Sequence, residues 1–134
     1  MEVEKKPDEA AKDKGNEFFK KKDFKSAIDH YNEAISINPE EPLYYNNKAA
    51  CFIESGDFES ALLEVEKAEK LFADGIVKDW VKKAKVFARK ASILFKQGKL
   101  NESIEWYEKS LLEDGNQKVK DELSKVRKTK KEQE

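Results

Sequence analysis

The chain lacks most of the features that carry chemistry or place a protein in a membrane. It has one cysteine and one histidine among 134 residues. Cys51 alone cannot build a disulfide framework, so a reducing, cytoplasmic setting is expected. Its place beside Phe52 within a helical pattern predicts a packed thiol and not a reactive one. The apolar runs are a few residues long, against the ~20 that a membrane helix needs. The opening stretch MEVEKKPDEA has no signal-peptide core. There is no glycine-rich phosphate loop, no Cys/His pair in catalytic register and no metal-ligand cluster. The reading is therefore a protein that is not an enzyme and takes no cofactor and no metal. A net charge of −1 gives no general pull toward a polyanion, so electrostatic recognition must be local. Five glycines, three prolines and no strand-like alternation leave all-α as the fold class.

Against these absences stands an internal period. Three short polar breaks, each followed by an apolar residue, mark its phase: KKDF at 21–24, SGDF at 55–58 and QGKL at 97–100. Phe24 and Phe58 are 34 residues apart, and Phe58 and Leu100 are 42 apart, one period plus eight. Around each marker the same positions hold the same kinds of side chain. Gly15, Ala49 and Ala91 are tiny; Phe18, Phe52 and Leu94 are apolar. After the marker come Ala27, Ala61 and Ser103, then Tyr31, Val65 and Tyr107, then Ala34, Ala68 and Ser110. Small residues where two helices touch, with large ones between, define a repeating helix–turn–helix. Charged residues at 41% and hydrophobic ones at 38% suit helices with one buried stripe and one wet face.

The expected helices follow from breaks and caps. The first starts near Pro7 after a charged lead-in (1–7) and runs to about 21, and the second spans about 24–37 before Asn38-Pro39. The third spans about 42–55, and the fourth runs about 58–72, to the break at Ala73-Asp74-Gly75. The eight extra residues fall next. Val77, Trp80 and Val81 keep a helical spacing, so 76–83 is expected to lengthen the helices around Gly75 and not to form a new loop. A fifth helix ends at Gln97-Gly98 and a sixth spans about 100–112. A charged seventh, 117–131, carries Val119, Leu123 and Val126 as one thin stripe, enough to cover the open end of a stack. His30, beside Tyr31, is expected to be structural. The basic tail 118–131 is an alternative nucleic-acid or membrane contact, disfavoured by its interspersed acids and the absence of aromatics.

Lys14-Gly15-x-x-Phe18, Ala27-x-x-x-Tyr31 and Pro39 resemble the tetratricopeptide repeat. The resemblance implies one domain, 1–134, in which three repeats wind into a right-handed superhelix behind a capping helix (117–131). The repeats are about 8–41, 42–75 with an extension to 83, and 84–116. Their first helices would then line a concave trough.

Lys12 and Asn16 lie four apart on one inner helix, Lys85 and Arg89 four apart on another, and Asn47 stands on the helix between. Three cations and two amides converge with no acid of comparable placement in view, an arrangement that suits a carboxylate. Any one of these residues alone is accounted for by a solvated helix face, but five at matching repeat positions are not. Together they resemble the dicarboxylate clamp of co-chaperone tetratricopeptide domains. That likeness implies a receptor for the Met-Glu-Glu-Val-Asp tail of heat-shock protein 90, with the Ile-Glu-Glu-Val-Asp tail of heat-shock protein 70 as the alternative. Such domains also occur as targeting units of larger phosphatases and prolyl isomerases. The isolated domain is expected to be monomeric. Phe19, Leu43, Ala50, Glu54 and Ser92 flank the five and are expected to touch the peptide upstream of its aspartate. The family often has tyrosine where Phe19 stands and asparagine where Ser92 stands, and both changes remove hydrogen-bonding capacity.

Overall fold

The computed structural model describes residues 4–134 as seven helices; residues 1–3 of the lead-in lie outside the described residues. The helices are α1 (Pro7–Lys20), α2 (Phe24–Ile37), α3 (Pro42–Glu54), α4 (Phe58–Ala73), α5 (Trp80–Lys96), α6 (Leu100–Glu113) and α7 (Gln117–Gln133). They pack chiefly as consecutive pairs, α1 on α2, α3 on α4 and α5 on α6, with α3 also meeting α5. Among the described residues no helix is long and apolar enough to cross a membrane.

Local chemistry sets most of the boundaries. Asp23, Asp57 and Asp79 each accept a backbone N–H of the first turn they precede, which satisfies a donor that the helix itself cannot. Asn116 does the same for α7, and Glu41 for α3. The start of α6 differs. Lys99 occupies the N-cap and makes no side-chain cap bond.

The periodic small residues are the helix contacts. Ala27, Ala34, Ala61, Ala68 and Ala91 are fully buried, with Tyr31, Val65 and Tyr107 filling the space between. Gly15 is the tightest of these approaches: a Cβ there would stand 2.5 Å from the Tyr31 ring. In the third pair the small residues are serines, and both are used. Ser103 donates to the Ala91 carbonyl and Ser110 to the Ala84 carbonyl, each at 2.7 Å. Each buried hydroxyl thus gains a partner worth about 0.5–1.5 kcal/mol net. Cys51 is buried in the cluster with Ala27 and Tyr31, and burial pushes its thiol up to about 11. His30 stacks on Phe18 with ring centroids 5.2 Å apart.

The stretch 76–83 corrects the expectation in part: the helices on either side of Gly75 are long, but a new loop stands between them. Gly75 adopts a left-handed φ of 72° and ends α4; Asp79 then caps a new helix beginning at Trp80. Residues 76–79 are loop. Ile76 is 51% exposed and Trp80 66% exposed, so the helical spacing of these apolar residues marks no buried face. The insertion divides between this loop and two long helices, α4 with 16 residues and α5 with 17.

Two long-range ties brace the stack. Asp8 at the start of α1 accepts from the Tyr44 hydroxyl at 2.7 Å and from the Asn38 amide at 3.3 Å. Lys82 on α5 pairs with Glu41 before α3 at 2.6 Å. Leu123 and Val126 of α7 bury against Ala91 and Tyr107, closing the end of the stack.

Candidate functional site

A groove of about 410 Å³ lies between α3, α5 and α7. It brings together five of the ten residues expected from the sequence: Leu43, Asn47, Lys85, Arg89 and Ser92.

Three cations of α5 beside the groove have acidic partners. Lys82 pairs with Glu41, Lys83 with Glu113 at 3.1 Å, and Lys90 with Glu69 at 2.8 Å while lying over the Trp106 ring. Lys85 and Arg89, one turn apart on the groove side, form no ion pair within 4.0 Å among the described residues. Burial lowers the pKa of the Arg89 guanidinium from its ordinary value, with the charges of Glu122, Tyr107 and Glu54 opposing. A partly desolvated guanidinium without a counter-ion is a poor way to stabilise a fold and a good way to receive an anion.

Lys12, Asn16, Phe19, Ala50 and Glu54 do not line this groove. Asn16 is nevertheless oriented. The Tyr31 hydroxyl donates to its Oδ1 at 2.6 Å, which leaves the amide N–H2 to donate elsewhere. Burial raises the Tyr31 hydroxyl to about 12, so it remains a donor, while the charge of Arg89 pulls the other way. Lys12 lies 3.6 Å from Asp13, whose other oxygen takes Lys5. Phe19 packs edge-on against Phe24. Glu54 is exposed at the end of α3.

The sequence reading found no acid among these cations, and the structure corrects it. Glu122 of α7 lines the groove with Lys85 and Arg89, and Asp114 lies at its edge. Glu122 and Ser92 flank the Tyr107 hydroxyl, whose pKa is raised by burial first and then by Glu122. The apolar stripe of α7 held a signal for this acid, since Glu122 follows Val119 by three residues and adjoins Leu123. Asn46 was also missed. It is 6% exposed, lines the groove, and its Oδ1 has no hydrogen-bond partner. Among the described residues no group of His, Cys, Asp and Glu is placed to hold a metal. The arrangement offers hydrogen-bond donors and positive charge, the complement of an anionic group.

Comparison with known proteins gives two family matches: one described as TPR repeat over residues 15–56, and one described as Tetratricopeptide repeat over 84–117. The Hsp70-Hsp90 organising protein of Plasmodium falciparum (isolate 3D7) is 35% identical over 125 residues, covering 90% of this chain and 21% of that protein. The chain thus spans about a fifth of the length of the curated relatives it matches. Among solved structures, the TPR2AB-domain:pHSP90 complex of yeast Sti1 superposes with a TM-score of 0.85 at 32% identity. That match covers 93% of this chain and 48% of the yeast one. The second TPR domain of human RPAP3, in complex with the HSP70 peptide SGPTIEEVD, gives 0.71 at 32% identity, covering 87% and 92%.

Proposed function

The chain belongs to the tetratricopeptide-repeat family, and from that premise we propose that it is a co-chaperone adaptor module that captures the C-terminal Glu-Glu-Val-Asp tail of a heat-shock chaperone. The carrying observation is that, among the described residues, the two α5 cations that line the groove, Lys85 and Arg89, have no ion pair, whereas their neighbours Lys82, Lys83 and Lys90 are paired and lie outside it.

In this reading the last aspartate of the tail presents two carboxylates. Arg89 offers a planar fork to one and Lys85 a mobile ammonium. Asn47, and Asn16 with its amide turned outward by Tyr31, donate N–H groups. Lys12 adds charge from α1, tempered by Asp13. Leu43 and Ser92 meet the residues before the aspartate, with Phe19, Ala50 and Glu54 further along the trough. No bond is made or broken; the module binds. Because the relatives are several times longer, it acts within a larger adaptor, a role that targeting domains of phosphatases or prolyl isomerases would share.

Heat-shock protein 90 is the favoured source of the tail, and the middle domain of the Hsp-organising adaptor is the favoured kin. The yeast Sti1 complex that supports this has pHSP90 in its name and the higher superposition. The human RPAP3 domain, which carries an HSP70 peptide, keeps heat-shock protein 70 as the second reading.

Calorimetric titration with Met-Glu-Glu-Val-Asp, Ile-Glu-Glu-Val-Asp and an amidated form of the first tests both levels. The expected result is a micromolar complex with the first, about −8 kcal/mol, weaker binding of the second and none of the amide. Equal affinity for the first two removes the choice of chaperone. Lys85→Glu with Arg89→Glu should abolish binding while the melting curve stays cooperative; retained affinity sinks the clamp.

A further inference from the structure

We propose that Glu122, on the capping helix, is a specificity-determining residue that limits how much negative charge a ligand carries ahead of its terminal aspartate. The inference rests on the peptide-tail reading above and adds to it a wall that the five-residue clamp does not include.

The placement of Glu122 is built, not incidental. Leu123 and Val126 pin α7 against Ala91 and Tyr107, and this fixes the neighbouring Glu122 on the groove side. There it shares a single cavity with Asn47, Lys85 and Arg89. No ion pair within 4.0 Å joins it to Arg89 among the described residues, yet it is the foremost charge acting on that guanidinium. Glu122 and Ser92 also flank the Tyr107 hydroxyl, so the field of Glu122 reaches the residues that Ser92 would meet ahead of the aspartate, and among the described residues no ion pair cancels it. Lys118, four residues earlier on the same helix face, lines the same cavity with the opposite sign. The capping helix thus presents a cation and then an anion to whatever lies along it. An acidic side chain settling near Glu122 meets repulsion at short range in a partly desolvated groove, where Coulomb interactions are stronger than in bulk water.

The test uses two peptides, Met-Glu-Glu-Val-Asp and Met-Gln-Gln-Val-Asp, titrated into the wild-type chain and Glu122→Gln at low and high salt. Glu122→Gln is expected to tighten the acidic peptide by about threefold or more, the neutral one by less, and the gap should close as salt rises. Lys118→Gln gives an independent reading with the opposite sign, weakening the acidic peptide more than the neutral one. Equal factors for the two peptides, or no tightening by Glu122→Gln, overturn the role of Glu122 while leaving the clamp intact. If the wild-type chain binds neither peptide, the tail reading itself fails, and this inference fails with it.

Discussion

The two sides of the proposed clamp, α1 and α5, are prepared by different means. On α1 the donor Asn16 is aimed by a hydrogen bond from Tyr31, a residue of the paired helix whose ring lies against Gly15. On α5, among the described residues, no hydrogen bond or ion pair holds Lys85 or Arg89; they are distinguished by the pairing of their neighbours, and Arg89 also by a half-buried setting. The first side is arranged by packing, so its failure would appear first as lost stability. The second is arranged by electrostatics, so its failure would appear as lost binding on an intact fold.

Gly15→Ala should break the first side most severely. The added methyl meets the Tyr31 ring at 2.5 Å, and overpacking of this kind costs about 1–3 kcal/mol. That outweighs the gain of up to about 1 kcal/mol that alanine brings to a helix interior. Denaturant unfolding should show a lowered midpoint, and peptide affinity should fall with it. An unchanged midpoint would mean that the α1–α2 contact is looser than described.

Tyr31→Phe is the finer probe. It keeps the ring and removes the donor, so it should cost about 0.5–1.5 kcal/mol of stability. Affinity for the tail should weaken several-fold as Asn16 loses its orientation. If stability falls and affinity does not, Asn16 is not a ligand donor.

Ser110→Ala tests the other side. It removes a hydrogen bond to the Ala84 carbonyl beneath the start of α5, and about 1 kcal/mol or less is expected to be lost. Ser110 lines the groove, but its hydroxyl is already given to the Ala84 carbonyl, so affinity should change little.

Acid titration separates the two sides by pH. Tyr44, and then Asn38, hold the Asp8 carboxyl below its ordinary range by hydrogen bonding to the charged form. The stabilisation is therefore fully present above the unfolded value near 4, and it is lost as pH falls through the lower folded value. Thermal melts of Asp8→Asn should show lower stability at neutral pH and a flatter decline below about pH 4. A decline as steep as the wild type's would assign the acid sensitivity to other carboxylates, such as Asp13.

Much of this was legible in the sequence, for a physical reason. Small residues at helix contacts and asparagines or aspartates at helix starts are local requirements, and Ala27, Ala61, Asp23 and Asp57 state them directly. The pair Lys85 and Arg89 was visible because four residues make one helical turn. The loop at 76–79 was not, because apolar spacing cannot tell a buried stripe from an exposed one. For Glu122 the stripe of α7 gave only the helix face; that it shares a groove with Arg89 depends on how α7 crosses α5 and α6. The use of the Tyr31 hydroxyl was not legible, because periodicity reports the size of a residue and not its polar tip. The serines at 103 and 110 read as small, and their bonds to carbonyls across the helix pair were invisible.

The terminal helix α1 and, within the stack, α6 start on N-caps without a side-chain bond, and the one at α6 marks an internal point of fraying. Repeat arrays open locally from their weakest junction, since each unit leans only on its neighbours. In α2 and α4 one first-turn amide, that of Ser26 or Ser60, is held by an aspartate; α6 has Lys99 and no such acceptor. Hydrogen–deuterium exchange should run faster at 100–102 than at 24–26 or 58–60. Lys99→Ser, with Glu102 three residues on, supplies the partners of a reciprocal cap and should slow that exchange by about fivefold, the equivalent of roughly 1 kcal/mol.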